Sequence, residues 1–243
     1  MPKNIEAYRK LVEDVYITDA YHSLSIEGYR VSPKLIERVR SGNWKPDTND
    51  RENHNALAAR GYWQAYQSVR KSIEKVLHGE IPGTVVDDDH RTWYREMFAP
   101  VVTAGILSPA DLAGYRNGPV YIRNSMHVPL RSEAVRDAMP AFFELLREEQ
   151  EASVRVVLGH FVFVYIHPYM DGNGRMGRFL MNVMLASGGY PWTIIPLEER
   201  NIYMAALEEA SVSQNIAPFV DFLANLVKAG LKGVTMPELS SSK

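Results

Sequence analysis

The stretch from His167 to Arg178 concentrates groups that can bind and process a phosphate. Within it, Gly172, Asn173 and Gly174 come directly before a predicted helix. Their backbone N–H groups have no partner inside that helix, so they can converge on an anion, and the helix dipole adds to the attraction. These residues therefore predict an anion-binding loop.

The charged side chains of the same stretch point to a polyphosphate. Arg175 and Arg178 are three residues apart and share one face of the first helical turn. Two cations at a helix N-terminus are unfavourable unless an anion lies there. Asp171 stands at the lip of the loop, where a magnesium ion bridging phosphates would take one carboxylate. His167 enters the loop, and histidine is well suited to accept a hydroxyl proton near neutral pH.

Simpler interpretations of this stretch exist. Asp-Gly-Asn-Gly by itself is a common turn, and a single histidine is more often structural than catalytic. The stretch is not a P-loop, because no Gly-Lys-Ser/Thr follows. It also fails as an EF-hand, because Arg175 and Met176 occupy the fifth and sixth loop positions. The combination of a histidine, a carboxylate, two glycines and two arginines in twelve residues favours a functional site.

The segment resembles the signature of Fic-domain proteins, H-x-F-x-[D/E]-G-N-G-R-x-x-R, with Tyr169 in place of the phenylalanine. The resemblance implies an all-α fold, a Fic-type helical core with a small β-hairpin flap, in which the signature lies between two helices. It also implies that Val156–Ile166 is a helix. The residues alone leave that segment open, because its valine and phenylalanine content favours a strand and its length favours a buried helix.

The resemblance also implies a reaction, in which AMP moves from magnesium-bound ATP to a hydroxyl side chain of a target protein. His167 would be the base and Asp171 the magnesium ligand. The phosphate ligands would be Gly172, Asn173, Gly174, Arg175 and Arg178. Two alternatives remain at the same site: another nucleotide donor, or removal of AMP from a target. A third is a nucleotide-sensing interaction module with negligible turnover, although binding alone needs no base at position 167.

The segment Gly114–Pro129 predicts a β-hairpin. Val120 and Ile122 alternate with polar or amphipathic neighbours, and Asn124-Ser125 offers a turn. The segment is similar to the family's flap, which clamps the target protein, and an exposed strand edge suits that task. A short hairpin with only a structural role is an equally good interpretation.

A second resemblance lies at Ser23-Leu24-Ser25-Ile26-Glu27-Gly28, which is similar to the inhibitory motif [S/T]-x-x-x-E-[G/N] of autoinhibited Fic proteins. Ser23 and Glu27 are four residues apart and face the same way on a helix. Glu27 lies at the predicted C-terminus of that helix, where the dipole disfavours a negative charge. The resemblance names Arg178 as its partner and predicts an N-terminal inhibitory helix. A solvent-exposed helix face is the simpler alternative.

Helical patterns predict most of the remaining chain, in three regions: 1–100 with the inhibitory helix, 101–215 with the core, flap and signature, and 216–243 as a C-terminal helix and tail. The first helix is expected to end near Gly28, and the second to begin at Ser32-Pro33. The run Asp87-Asp88-Asp89-His90 is expected to be a solvated loop capping the next helix rather than a metal site.

Composition narrows the class of protein. The chain has 243 residues, 46% of them hydrophobic, with a net charge of −2. That charge argues against a dedicated DNA-binding protein. With no cysteine, disulfides and thiolate metal sites are excluded. The sequence shows no signal peptide and no apolar run of membrane-spanning length. We therefore expect a cytoplasmic protein that binds ATP and a target protein but no DNA or membrane, with a homodimer plausible for the family.

Overall fold

The computed structural model describes residues 4–43 and 50–233, together with 237 and 239. These residues form nine α-helices and two short 3₁₀ helices, the latter at Pro109–Leu112 and Leu197–Glu199. In chain order the α-helices are α1 Ile5–Ile26, α2 Pro33–Arg40, α3 Asp50–Leu77, α4 Pro82–Thr103, α5 Ser132–Glu148, α6 Ala152–Ile166, α7 Asn173–Ser187, α8 Arg200–Val212 and α9 Ala217–Leu231. The predicted all-α fold is confirmed, and the ambiguous segment before the signature is helical. Within the described ranges, no helix is long and apolar enough to cross a membrane.

Local sequence signals fix the ends of α1 and α2 as expected. Helix α1 ends just before Gly28, whose φ of 93° is readily adopted only by glycine. Helix α2 begins after Ser32, whose hydroxyl accepts a hydrogen bond from the Leu35 N–H at 3.2 Å. Pro33 occupies the first turn, where its missing N–H has no consequence. The short connection between these helices therefore has a defined conformation.

Helix α7 lies at the centre of the fold and contacts α1, α3, α4 and α6. Its residues from Arg175 to Ala186 are all buried, so no face of this part is left to solvent. Asn182 satisfies its side-chain amide by bonding to both backbone groups of Thr193, at 2.8 and 3.1 Å. The same burial holds Arg175 and Arg178 inside the molecule, where an unpaired charge is costly.

The run of three aspartates is not the loop that the sequence predicted, because it lies inside α4. Asp89 bonds to the Lys75 ammonium on α3 at 2.8 Å, and Asp87 bonds to Arg147 on α5 at 2.9 Å. The N-terminal signal of this helix is Pro82 in its first turn, five residues before the first of these aspartates. These carboxylates therefore connect helices, and the part of the chain that the structure describes holds no cluster of three metal-ligating residues.

Residues 114–129 do not form the predicted β-hairpin, and the described residues contain no β-strand. The predicted turn is present: Asn124 has a φ of 59°, and the Ser125 N–H donates to the Ile122 carbonyl at 3.2 Å. The arm that follows the turn bonds to other elements instead of to the opposite arm. The Met126 N–H, for example, donates to the Glu208 carboxylate of α8 at 2.7 Å. Side-chain partners thus satisfy backbone groups that a strand ladder would have used.

Helix α1 is bonded along its whole length to the segment around residues 190–200. The Asp19 carboxylate, fully buried, accepts hydrogen bonds from the Trp192 indole at 2.9 Å and the Tyr62 hydroxyl at 2.6 Å. Burial raises the pKa of Asp19 to about 6, although these two bonds oppose the shift. The other bonds are Tyr8 hydroxyl to Tyr190 carbonyl, Leu197 N–H to His22 Nδ1, and Arg200 Nε to Ile26 carbonyl. Helix α1 is therefore an integral part of the fold.

Helices α3 and α4 lie in close contact at Gly61, where an added methyl group would overlap the backbone carbonyl of Met97. We expect Gly61→Ala to lower the free energy of unfolding by about 1–3 kcal/mol, despite the better helix propensity of alanine, because both backbones are fixed. Urea denaturation followed by circular dichroism measures the change. Gly118→Ala is the control, since a methyl group there meets open space. Equal unfolding midpoints for Gly61→Ala and the parent protein would contradict this view of the interface.

Candidate functional site

The signature forms a tight loop between α6 and α7. His167 ends α6 with a φ of 55°, and Gly172 precedes α7 with a φ of 83°. The Asn173 side chain closes the loop, because its amide accepts from the Tyr169 N–H at 3.0 Å and donates to the Tyr169 carbonyl at 2.8 Å. The Tyr169 ring is buried beneath the loop and stacks on Tyr94 with 3.7 Å between ring centroids. The loop is therefore held rigidly, and the Asn173 side chain contributes structure rather than a free donor.

His167 is arranged to act as a proton acceptor. Its Nδ1 lies 3.1 Å from the Val164 carbonyl oxygen. Since a carbonyl can only accept, Nδ1 carries the ring proton and Nε2 keeps a free lone pair. Burial lowers the pKa of His167, and the bond to Val164 opposes that shift only in part. The imidazole is therefore neutral at pH 7 and able to take a proton.

Arg178 is 4% exposed and makes three contacts with the end of α1 and the glutamate that follows it. Its Nη2 lies 2.7 Å from Glu27 Oε1 and 3.0 Å from the Ser23 carbonyl, and its Nε donates to the Ser23 hydroxyl at 2.8 Å. Burial by itself lowers the pKa of Arg178, but the groups around it, the Glu27 carboxylate foremost, together raise it by more, so the net shift is upward. The expected contact of Glu27 with this arginine is present, and Ser23 adds two bonds that the sequence did not predict.

The Glu27 carboxylate lies against the N-terminus of α7. A methyl group added to Gly174 would collide with Glu27 Oε1, so the carboxylate rests directly on the glycine backbone. The N-terminus of a helix attracts anions through its dipole and its free N–H groups. Glu27 therefore occupies the place where the sequence predicts an anion.

Arg175 lies on the other side of the loop and is 1% exposed. Its Nη2 donates to Asp171 Oδ2 at 3.1 Å, and its guanidinium lies over the rings of Tyr29 and Phe98, 5.2 and 5.3 Å from their centroids. The Asp171 side chain is 64% exposed, and its other oxygen accepts from the Gly172 N–H at 2.6 Å. One open carboxylate suits a magnesium ion that takes its remaining ligands from phosphate and water.

Two cavities meet at the signature loop. A cleft of about 360 Å³ is lined by His167, Gly174, Arg178 and Glu27, with α8 and residues 122–127 as its walls. A second cavity of about 490 Å³ contains Asp171, Arg175 and Tyr29. The predicted base His167, the inhibitory Glu27 and Arg178 thus share the first cleft. The predicted magnesium ligand Asp171 lies in the second cavity.

Residues 87–185 match the family model described as Fic/DOC family. The chain carries a Fic domain. It is 30% identical over 229 residues to "Protein adenylyltransferase Fic" of Drosophila virilis, covering 93% of this chain and 44% of that protein. It is 27% identical over 231 residues to "Protein adenylyltransferase fic-1" of Caenorhabditis elegans, covering 93% and 42%. The solved structure of C. elegans Fic-1 superposes with a TM-score of 0.76 at 23% identity, covering 96% of this chain and 66% of that one. The chain thus spans less than half the length of these curated relatives.

One residue of this Fic domain that the sequence did not single out is Arg116. Its buried side chain donates from Nε to the His167 carbonyl at 2.7 Å and from Nη1 to the Gly118 carbonyl at 3.0 Å. Its Nη2 donates to the Leu130 carbonyl. One side chain therefore connects both ends of the 117–129 segment to the signature loop. No spacing or motif distinguishes this arginine from the others in the sequence.

Proposed function

We propose that this Fic domain transfers AMP from ATP to a hydroxyl side chain of a target protein. The observation that carries the proposal is the cleft in which a neutral histidine with a free Nε2 faces the N-terminus of a helix and a buried arginine. A base and an anion site side by side are what nucleotidyl transfer to a hydroxyl needs. The printed names of the curated relatives, protein adenylyltransferases, support the same activity.

In the proposed reaction, the nucleotide phosphates bind at Gly172–Gly174, and Arg175 and Arg178 offset their charge. The hydroxyl oxygen of the target forms a bond to the α-phosphorus, and the bond from that phosphorus to the oxygen bridging to the β-phosphate breaks. The hydroxyl proton passes to His167 Nε2, and pyrophosphate leaves. Positioning and charge stabilisation account for most of the rate in reactions of this type.

Asp171 is the residue that would hold magnesium in this reaction. When bound, magnesium supplies positive charge to the phosphates and favours loss of pyrophosphate. The carboxylate is open to solvent at the loop lip, and Arg175 and the Gly172 N–H fix its orientation. A metal site with a single protein carboxylate is typical of magnesium bound with a nucleotide.

We expect Asp171→Asn to raise the magnesium concentration needed for half-maximal transfer by about tenfold or more, because a neutral amide is a weaker magnesium ligand than a carboxylate. Transfer should be measured across a magnesium titration at fixed ATP. Asp111→Asn is the matched control, because this aspartate lines the same cavity but caps a 3₁₀ helix by bonding to Ser108. An unchanged magnesium titration for Asp171→Asn would exclude this residue as the ligand.

The segment Gly114–Pro129 is the proposed docking site for the target. Tyr121, Met126 and Val128 are 85%, 79% and 73% exposed, which is unusual for three large apolar side chains so close in sequence. The segment borders the cleft that contains His167. An extended target peptide placed along it could pair with its free backbone groups and present a hydroxyl to the base.

Glu27 is the proposed inhibitor of the same reaction. Its carboxylate binds Arg178 and covers Gly174, so a nucleotide whose phosphates need that arginine must compete with it. Loss of in-line geometry slows phosphoryl transfer severely even when the nucleotide still binds. We propose that the domain as folded here is restrained by this contact.

Incubation of the protein with ATP carrying a label on either the α- or the γ-phosphate tests the function. The AMP-transfer proposal requires protein labelling from the α-label and none from the γ-label. Parallel mass spectrometry with each nucleoside triphosphate identifies the donor, and loss of AMP from a labelled target identifies the reverse reaction. ATP binding without covalent labelling, by both wild type and Glu27→Gly, would favour a nucleotide-sensing module instead.

A further inference from the structure

The short segment that follows α1 contacts both arginines of the signature. Glu27 bonds to Arg178 at 2.7 Å, and two residues later the Tyr29 ring covers the Arg175 guanidinium. The sequence motif explains the first contact and says nothing of the second. Glu27 and Tyr29 each contact a different phosphate-binding arginine. One of these contacts can therefore inhibit the site while the other supports it.

Two aromatic rings lie against the Arg175 guanidinium. The guanidinium is flanked by Tyr29 at 5.2 Å and Phe98 at 5.3 Å, and both distances lie within the range of a cation–π interaction. Its Nη2 donates to Asp171, while its Nε is buried and has no hydrogen-bond partner among the described residues. A delocalised, planar cation is well suited to a site between rings. Removal of one ring would leave the side chain free to change rotamer.

Tyr29 is itself fixed with respect to Glu27. Its N–H donates to the Leu24 carbonyl at 3.1 Å across the left-handed Gly28, the arrangement that commonly ends a helix. The ring also stacks with His54, with 5.3 Å between ring centroids and a 30° interplanar angle. The position of Tyr29 is therefore set by the same helix end that carries the glutamate.

We propose that Tyr29 is a positioning residue that holds Arg175 in place for the nucleotide phosphates. This inference rests on the proposed function. The end of α1 then has two opposed effects: Glu27 restrains Arg178, and Tyr29 supports Arg175. Full activity requires the Glu27 side chain to leave Arg178 while the Tyr29 ring stays on Arg175. A local movement of Glu27 meets both conditions. Release of the whole end of α1 would remove Tyr29 as well and would not meet the second.

The test compares Tyr29→Phe and Tyr29→Leu in the Glu27→Gly background, where ATP has access to Arg178. Tyr29→Leu keeps apolar volume but removes the ring, so we expect the Kd for ATP by calorimetry and the KM for ATP to rise about five- to thirtyfold. Tyr29→Phe keeps the ring and should restore both values to those of the Glu27→Gly parent. We expect kcat at saturating ATP to change less than KM.

Tyr8→Leu in the same background is the control, since Tyr8 is a buried tyrosine of α1 whose hydroxyl bonds to the Tyr190 carbonyl. It should lower the midpoint of thermal unfolding without changing ATP affinity. Unchanged ATP affinity in Tyr29→Leu, or an equal loss in Tyr8→Leu, would overturn the inference. A Glu27→Gly parent that binds ATP without transferring AMP counts against the proposed function alone, and the binding comparison still decides the role of Tyr29. A parent that binds no ATP overturns both.

Discussion

His167→Ala is expected to lower the rate of AMP transfer by about 10²–10⁴-fold, which is the usual contribution of a general base. The loss should be in kcat, with the Kd for ATP nearly unchanged, because the imidazole acts on the acceptor hydroxyl and not on the phosphates. The substitution should be made in the Glu27→Gly background so that a measurable rate exists before the loss. Transfer at the parent rate would show that another group accepts the proton.

The pH profile gives an independent check on the same residue. Only the neutral imidazole can accept a proton, and burial lowers the pKa of His167 below its ordinary value of 6.5. Activity should therefore be level around pH 7–8 and fall as the pH drops through the acidic region below 6.5. In His167→Ala this acidic limb should disappear from the residual rate. A rate that keeps climbing above pH 8 would point to a base with a higher pKa.

Glu27→Gly is expected to raise AMP transfer by about tenfold or more. The carboxylate and Arg178 form a charge-assisted hydrogen bond at 2.7 Å in a largely buried setting, a kind of contact worth about 1.5–3 kcal/mol. Releasing that much restraint corresponds to a rate change of at least tenfold. Labelling from ATP tagged on the α-phosphate, including labelling of the protein itself, measures the change.

Three variants separate release of inhibition from a general loosening of α1. Glu6→Gly removes an exposed glutamate from the first turn of the same helix and should leave the rate unchanged. Glu27→Gly/His167→Ala should lose the gained labelling. Arg178→Ala should not imitate Glu27→Gly, because it removes the restraint and a phosphate ligand together. Equal labelling by wild type and Glu27→Gly would mean that the glutamate has a structural role.

Much of the site could be predicted because the signature is local. His167, Asp171 and the three residues from Gly172 to Gly174 lie within eight positions, so the loop and the helix that follows it dictate their arrangement. The contact between Glu27 and Arg178 crosses 151 residues. The helix end indicated only that the glutamate needs a cation, and it was the resemblance to autoinhibited Fic proteins that named Arg178.

The wrong predictions involved groups whose partners are distant. The hairpin at 114–129 was predicted from alternation, but the Glu208 carboxylate accepts the backbone N–H of Met126 in one arm. The aspartate run was placed in a loop because its charges suggested solvent, whereas Lys75 and Arg147 pair with it inside the fold. Arg116 and the Tyr29 ring were missed for the same reason, since neither has a pattern that reveals what it will contact.

The bonds between α1 and the segment around residues 190–200 have a consequence for synthesis. The partners in these bonds lie 173 to 182 residues further along the chain. At a translation rate of about 5–20 residues per second, the helix is made roughly 10–35 s before these partners exist. In that interval the helix can already pack against α2 and α3, but not against these later partners. Glu27 likewise has no Arg178 to bind until a further 151 residues have been made, so the restraint cannot form early in synthesis.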